Sequence, residues 1–424
     1  MKMVPFPVRG TEERPMDTLQ SQDRTSALGH PGYRSFAASR VFSSIGFQSV
    51  TVAMGWMIYD QTHSAFYLGL VGLCQFLPMV VLTFIVGHVA DRFDRRRIGL
   101  ACQLIEALTA LVLAVAVWQH WIGPHGILAA VAVMGAATAF ERPTMAALLP
   151  NIVPPSMLQV AIATSTSMMQ TAFIIGPSLG GLLYGVSPVA PFLVSAVLYV
   201  IASINVISIR VERQQPSSRE PVTLSSVFAG VSFIKSRPVM MGTISLDLFA
   251  VLLGGATALL PMFARDILHA GPWGLGLLRA APAIGALVMS IWLVRRPLQS
   301  DVGKKMLIAV FIFGVATVVF ALSTNIVLSV LALLVVGASD TVSVVVRSSL
   351  VQLLTPDIMR GRVNAVNSLF IGTSNQLGEF ESGMLASAFG PVLTGIIGGV
   401  GTIAVVLLWT RIFPDLTKVK TLNG

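Results

Sequence analysis

Six ionisable side chains stand inside long apolar runs: Arg40, Glu106, Asp247, Asp340, Glu379 and Glu381. A charge placed at the centre of a hydrocarbon layer costs at least about 2.5–3.5 kcal/mol, so such residues mark a pathway for protons, ions or substrate unless a static pair accounts for them. A carboxyl group in apolar surroundings can exchange its charge for a proton. An arginine there can bind an anion, lie near headgroups, or hold a carboxylate in a fixed pair. Glu379 and Glu381 are two residues apart, about 200° around a helix, so both cannot face one cavity. Gln48, Gln75, Gln170, Asn375 and Gln376 add donors and acceptors within the same runs, for substrate or for bonds between helices. Glu141 and Arg142, followed by Pro143, end another run and look like residues of a seam. Enzyme chemistry is not indicated. No nucleophile–base pair, CxxC, HExxH, P-loop or dinucleotide-binding glycine pattern stands out, and Cys74 and Cys102 each lie alone in an apolar run. No metal and no cofactor are expected.

The elements that must position these groups are membrane spans. Of 424 residues, 54% are hydrophobic and only 11% charged, with a mean hydropathy of +0.79. A soluble domain carries about 25% charged residues, so lipid is the solvent for most of this chain. The net charge of +9 does not point to nucleic acid, because the basic residues recur in short clusters between apolar runs. Crossing a hydrocarbon core takes about 20 apolar residues. Twelve candidate spans result: 35–59, 65–86, 98–117, 127–140, 158–184, 191–209, 239–263, 274–294, 306–322, 326–346, 363–389 and 392–409. The fourth is expected to continue through Ala147.

With the N-terminus placed in the cytoplasm, inside segments hold Arg92, Arg95, Arg96, Arg97, Arg142, Arg295, Arg296, Lys304, Lys305, Arg347, Arg360 and Arg362. The outside loops hold Arg265 alone. That bias predicts both termini inside. The expected organisation is a disordered cytoplasmic tail over 1–32, a six-helix bundle over 33–209, a cytoplasmic linker with an amphipathic helix over 210–238, a second six-helix bundle over 239–410 and a cytoplasmic tail over 411–424. Leu148/Leu350, Pro154/Pro356 and Met157/Met359 align at one offset of 202, as repeated halves would.

The turn between the second and third spans, 87–97, reads GHVADRFDRRR. It resembles the loop signature G-x-x-A-D-R-x-x-R-R of the major facilitator superfamily of secondary transporters. Segment 172–181, AFIIGPSLGG, resembles that family's antiporter motif, with Ala172 in the first glycine's place. Segments 56–60 (WMIYD), 244–249 (ISLDLF), 272–276 (PWGLG), 356–365 (PDIMRGRVNA) and 374–383 (SNQLGEFESG) are similar to the enterobactin-exporter-like branch.

The resemblance implies an all-α membrane protein of the major facilitator fold, twelve transmembrane helices in two six-helix bundles, in a bacterial inner membrane. It implies spans 1, 4, 7 and 10 around a central cavity and spans 3, 6, 9 and 12 outermost. It also implies a cytoplasmic gate of Gly87, Asp91, Arg92, Arg95, Arg96, Glu141 and Arg142. In that gate the aspartate faces the start of span 11, a favourable place for a carboxylate. Gly176, Pro177, Gly180 and Gly181 would kink span 5 and let a neighbour approach closely. The activity implied is proton-coupled export of a siderophore-like or amphipathic small molecule, by a carrier that can work as a monomer. Asp247 ranks first as proton or substrate site, followed by Glu379, Glu381, Arg40, Asp340 and Gln48. Proton-coupled uptake, and a non-transporting receptor or scaffold on the same fold, stay open.

Overall fold

A computed structural model describes residues 27–209, 224–298 and 300–421. The expected N-terminal tail up to residue 26 and the linker over 210–223 lie outside the described residues. Six long helices form the first half: α1 (Pro31–Thr62), α2 (Ala65–Arg92), α3 (Arg95–Trp118), α4 (Pro124–Leu148), α5 (Leu158–Val186) and α6 (Ala190–Ile207). A short helix α7 (Leu224–Lys235) precedes the second half. That half comprises α8 (Pro238–Leu253), the single turn α9 (Leu260–Met262), α10 (Gly271–Arg295), α11 (Val302–Leu322), α12 (Ile326–Leu354), α13 (Asp357–Phe389) and α14 (Pro391–Ile412). A last short helix, α15 (Pro414–Lys418), follows.

Local sequence sets these boundaries. Proline stands in the first turn of α1, α4, α6, α8, α10 and α14, where its missing N–H costs nothing and its fixed φ suits a helix. Asp94 caps α3 by accepting from the Arg96 backbone N–H at 2.9 Å. Asn325 does the same for α12, accepting from Val327 at 2.8 Å. His63 ends α1 in the left-handed region at φ 48°, so the chain turns back at once into α2.

Among the described residues, eleven helical stretches are long and apolar enough to cross a membrane. The twelfth span is α13, which has the length, 33 residues, but carries Arg360, Arg362, Glu379 and Glu381 along it. Within the first half, α1 packs on α5 and α6, α3 on α4 and α6, and α2 on α4. Within the second, α10 packs on α12, α11 on α12 and α14, and α8 on α13 and α14. Across the halves the two large contacts are α5 with α10 and α2 with α13. Those are spans 5 with 8 and 2 with 11, which exchange when the halves are swapped, as expected of a repeated architecture. The outer faces of α3, α6, α11 and α14 present exposed Leu108, Ile204, Ile308 and Val400, the surface that lipid covers.

Three stretches differ from their sequence reading. Span 7 is not one continuous helix: α8 stops at Gly254, and a 3-10 turn over Ala256–Leu259 leads into α9 and a π turn over Phe263–Ile267. A Cβ on Gly255 would lie 2.5 Å from the Gly378 carbonyl oxygen, so the break seats the chain after α8 close against α13. Span 10 runs on from Val346 to Leu354, which puts Arg347 inside the helix rather than in a loop. The stretch after Trp409 is packed, with Leu416 fully buried and Gly303 donating its N–H to the Val419 carbonyl at 3.1 Å.

Candidate functional site

Each half has one end that carries the chain termini, the basic end, and one that faces away, the far end. The far end is closed between the halves by glycine contacts. Gly181 of α5 meets α10: a Cβ there would lie 2.5 Å from the Pro272 carbonyl oxygen and 2.8 Å from Gly276 Cα. Gly69 of α2 meets α13, with Gly383 Cα 3.1 Å from its hypothetical Cβ. Tyr59 donates to Asp266, and Arg265 pairs with Asp60 at 2.8 Å, tying α1 to the turn after α9. Part-way down, Gln170 of α5 donates to the Ala283 carbonyl of α10 at 3.0 Å.

The span 5 motif is a three-helix junction. Gly176 seats the Gln48 Cβ and Gly180 the Ser49 backbone, both on α1, while Gly181 meets α10 from the other half. Gln48 is therefore a packing residue against Gly176, and it does not line the cavity described next. Pro177 is buried within α5, and its carbonyl oxygen would lie 2.7 Å from a Cβ on Gly276.

Toward the basic end a cavity of about 570 Å³ opens among α1, α4 and α5. Arg40, Ser43, Glu141, Arg142, Ser165 and Thr166 give it polar lining, and Phe36, Phe47, Met169 and Phe173 give it apolar walls. Arg142 and Thr138 also line a second cleft of about 200 Å³ with Gln75 of α2 and Gln376 of α13, so the first cavity leads to the seam between halves. Glu141 is buried. Its Oε1 accepts from Ser43 at 2.8 Å and from Gln103 at 2.8 Å, and Gln103 donates also to Ser39 at 2.9 Å. This residue, expected at a seam, thus joins α1, α3 and α4 within one half. Glu106 accepts from Thr138 at 3.2 Å in the same bundle.

The second half holds two charged groupings. Asp247 of α8 accepts from Arg347 of α12, with both side chains almost fully buried. Asp340 shares a small cleft with Asp247 and Ser343, and it also lines a cavity of about 160 Å³ beside the break in span 7, with Gly254, Gly255, Thr257, Thr317 and Asn375. Asp340 makes no hydrogen bond or ion pair among the described residues. The other grouping lies at the seam. Glu379 of α13 packs on Gly72 of α2, and its counter-charge is Arg279 of α10. Arg279 Nη2 lies 3.7 Å from the point a Cβ on Gly55 of α1 would occupy, so this guanidinium reaches the first half. Glu381 faces elsewhere, half-buried, with Oε2 lacking a partner.

Arg279 and Arg347 are the site residues sequence reasoning missed. Both satisfy the rule that singles out the carboxylates: Arg279 stands inside the run 274–294, and Arg347 reads as a loop residue only because the apolar run of span 10 ends one residue before it.

At the basic end, Arg96 donates to Asp94 at 2.8 Å and to the Ile209 carbonyl at 3.2 Å, and Arg95 donates to the Ala147 carbonyl at 2.9 Å. Hydrogen bonds to Arg96 hold the Asp94 carboxyl below the usual carboxylate range. These bonds stay within the first half. Arg92 is exposed. Gly87 and Asp91 fall in the last turns of α2, and their side-group placement lies outside the described residues.

Spans 2 with 11 and 5 with 8 pair pseudo-symmetrically across the halves, and the polar-lined cavity lies among α1, α4 and α5 beside that seam. The model of the family described as transmembrane secretion effector matches residues 24–422. The chain belongs to that family, within the major facilitator superfamily. It is 25% identical over 396 residues to the enterobactin exporter EntS of Citrobacter koseri, covering 92% of this chain and 94% of that protein. It is 24% identical over 370 residues to macrolide efflux protein A of Streptococcus pyogenes, covering 83% and 89%. Among solved structures, a crystal structure of the nucleoside transporter NupG matches at a TM-score of 0.69 with 14% identity, over 90% of this chain and 99% of that one. The protein is a multi-pass membrane transporter of the exporter branch, and not an enzyme.

The far-end latch carries an expected outcome. With Asp60 half-exposed, its pair with Arg265 contributes at most about 1 kcal/mol. Arg265→Gln should shift the population toward open far ends by a few-fold at most. Spin labels at Gln61→Cys and Trp273→Cys, read by pulsed dipolar spectroscopy, should gain a longer-distance component. An unchanged distribution would remove the latch from the gate.

Proposed function

We propose that this carrier exports an amphipathic, siderophore-like small molecule in exchange for protons, with Asp340 as the proton-carrying group. The single observation that carries the coupling reading is the contrast between two neighbouring carboxylates. Asp247 is held by Arg347, whereas Asp340 beside it is unpaired among the described residues and lines a cavity. The sequence ranked Asp247 first. The ion pair instead makes Asp247 the orienting partner and leaves Asp340 free to gain and lose a proton. When Asp340 is charged, Arg347 has two carboxylates to serve; when Asp340 is neutral, Arg347 belongs to Asp247 alone. That difference can alter the packing of α8 on α12 and so bias the two access states.

The positive-inside bias supports placing the basic end in the cytoplasm. The cavity then faces the cytoplasm and the closed far end faces outward, an inward-facing arrangement ready to load cargo. The export direction accords with relatives named for enterobactin export and macrolide efflux. The mixed lining of Phe36, Phe47, Met169 and Phe173 with Arg40, Arg142 and Thr166 suits an amphipathic cargo.

The experiment is flux in proteoliposomes under an imposed pH gradient, with a catecholate siderophore as cargo. Cargo should move against the proton flow, and Asp340→Asn should abolish gradient-driven movement while thermal stability stays near that of the parent. Movement with the protons would make the protein an importer. Undiminished antiport by Asp340→Asn would remove that residue from the coupling.

A further inference from the structure

We infer that the cavity of the first half is an anion-selecting site: Arg40 and Arg142 take the negatively charged group of an amphipathic cargo whose apolar body lies along Phe36, Phe47 and Phe173. The inference rests on the reading of this cavity as the cargo site and names the charge class that site takes.

Three observations carry it. First, Arg40 lines the cavity and makes no hydrogen bond or ion pair among the described residues. Its five N–H donors are left for something in the cavity. A guanidinium so placed matches a carboxylate, catecholate or sulfonate through two parallel bonds. Second, the charge of Glu141 is felt at Arg40, but no hydrogen bond or ion pair joins the two among the described residues. Among the described residues Glu141 is the only acidic one lining the cavity, and its Oε1 accepts from Ser43 and Gln103, inside the bundle. Third, Arg142 is exposed at the cavity wall, its guanidinium carbon 5.6 Å from the Phe47 ring centroid in a cation–π contact. Such a contact leaves the N–H donors of the guanidinium available to an anion. The lining thus holds two arginines against one engaged carboxylate, and a cation would meet repulsion there.

The acidic groups of the second half lie elsewhere. Asp340 lines a separate cavity walled by α8, α10, α11, α12 and α13, and Glu379 is answered by Arg279 at the seam. The two functions are therefore divided between the halves: cargo charge is read in the first and protons are handled in the second.

The test uses three probes that share a ring system and differ in charge: 1-naphthalenesulfonate, 1-naphthylmethanol and 1-naphthylmethylammonium. Calorimetric titration of the purified, folded full-length protein in lipid nanodiscs, corrected with empty nanodiscs, should give at least tenfold tighter binding of the anion than of the cation. Arg40→Gln should weaken the anion about tenfold and leave the neutral probe within twofold, and Arg40→Lys should recover part of the loss. Cation binding equal to or tighter than anion binding would overturn the inference. So would unchanged anion affinity in Arg40→Gln and Arg142→Gln, or no anion binding to folded protein at millimolar concentration. Equilibrium binding does not need transport. Anion binding without flux would sink the transport reading and leave this site standing, whereas flux of the cationic probe alone would do the reverse.

Discussion

Arg347→Ala should lower the stability of the purified protein by about 3–5 kcal/mol, the cost expected when one partner of a buried ion pair is removed and the other left uncompensated. The loss should show as a drop in the thermal midpoint in detergent. Asp247 and Arg347 join α8 to α12 with side chains only 6% and 5% exposed, so no water replaces the missing partner. Asp247→Asn should cost less, because Asp340 in the same cleft can still answer the Arg347 charge. The double substitution Asp247→Asn with Arg347→Gln removes both charges and should recover most of the stability. Two single losses that simply add in the double variant would show that the pair is not coupled. This changes the value of Asp247 as a mechanistic probe: its substitution reports on folding and on transport together. Asp340→Asn, where no ion pair is broken, separates the two.

Gly181→Leu should cut transport to below about a tenth of the parent rate. An alternating carrier must seal its far end before the other end can open, and that closure brings α5 onto α10 with no room for a side chain. A Cβ on Gly181 would lie 2.5 Å from Pro272 O, 2.8 Å from Gly276 Cα and 2.9 Å from Gly276 N. These are backbone atoms and cannot swing aside. The overlap should cost about 1–3 kcal/mol in the closed arrangement and nothing when the halves part at this end. The equilibrium should therefore move toward far-end-open states, seen as a longer distance between labels at Gln61→Cys and Trp273→Cys. Gly185→Leu is the control, because a Cβ there meets nothing within 4 Å. Equal transport by the two leucine variants would show that the Gly181 contact is not part of the gate.

Much of this fold was legible in the sequence because lipid leaves few choices. Apolar runs of span length must be helices, and Arg92, Arg95, Arg96 and Arg97 in one tight turn mark an end that does not cross. What the sequence hid is where hydropathy stops being informative. Helix α13 is legible as a span from its sequence, but what lets it carry Glu379 is hidden there: that charge is covered by α2 and answered by Arg279 of α10. Neither neighbour is visible in its own composition. The break at Gly254 and Gly255 could be guessed only from two small residues in an apolar stretch. Arg347 shows the sharper failure. A charge at the edge of a run looks the same whether it ends the helix or lies buried within it, and only the facing Asp247 decides. Likewise, nothing in the spacing of Asp247 and Asp340 tells which is paired; that depends on which α12 residue faces α8.

The exposed tryptophans have a consequence for how the protein sits in its bilayer. Trp118, Trp121 and Trp273 all lie at the far end, at the close of α3, just before α4 and at the start of α10. Indole rings hold to the headgroup level of a leaflet, so three of them on separate elements pin that face at a fixed depth. The opposite face has one exposed tryptophan, Trp292 near the end of α10, among arginines and lysines whose long stems let their charges follow the water boundary over several ångströms. A thinner or thicker bilayer is then absorbed at the basic end, beside the cavity mouth. A change in lipid thickness is therefore felt more at the cavity mouth than at the far face, which three indoles hold against one.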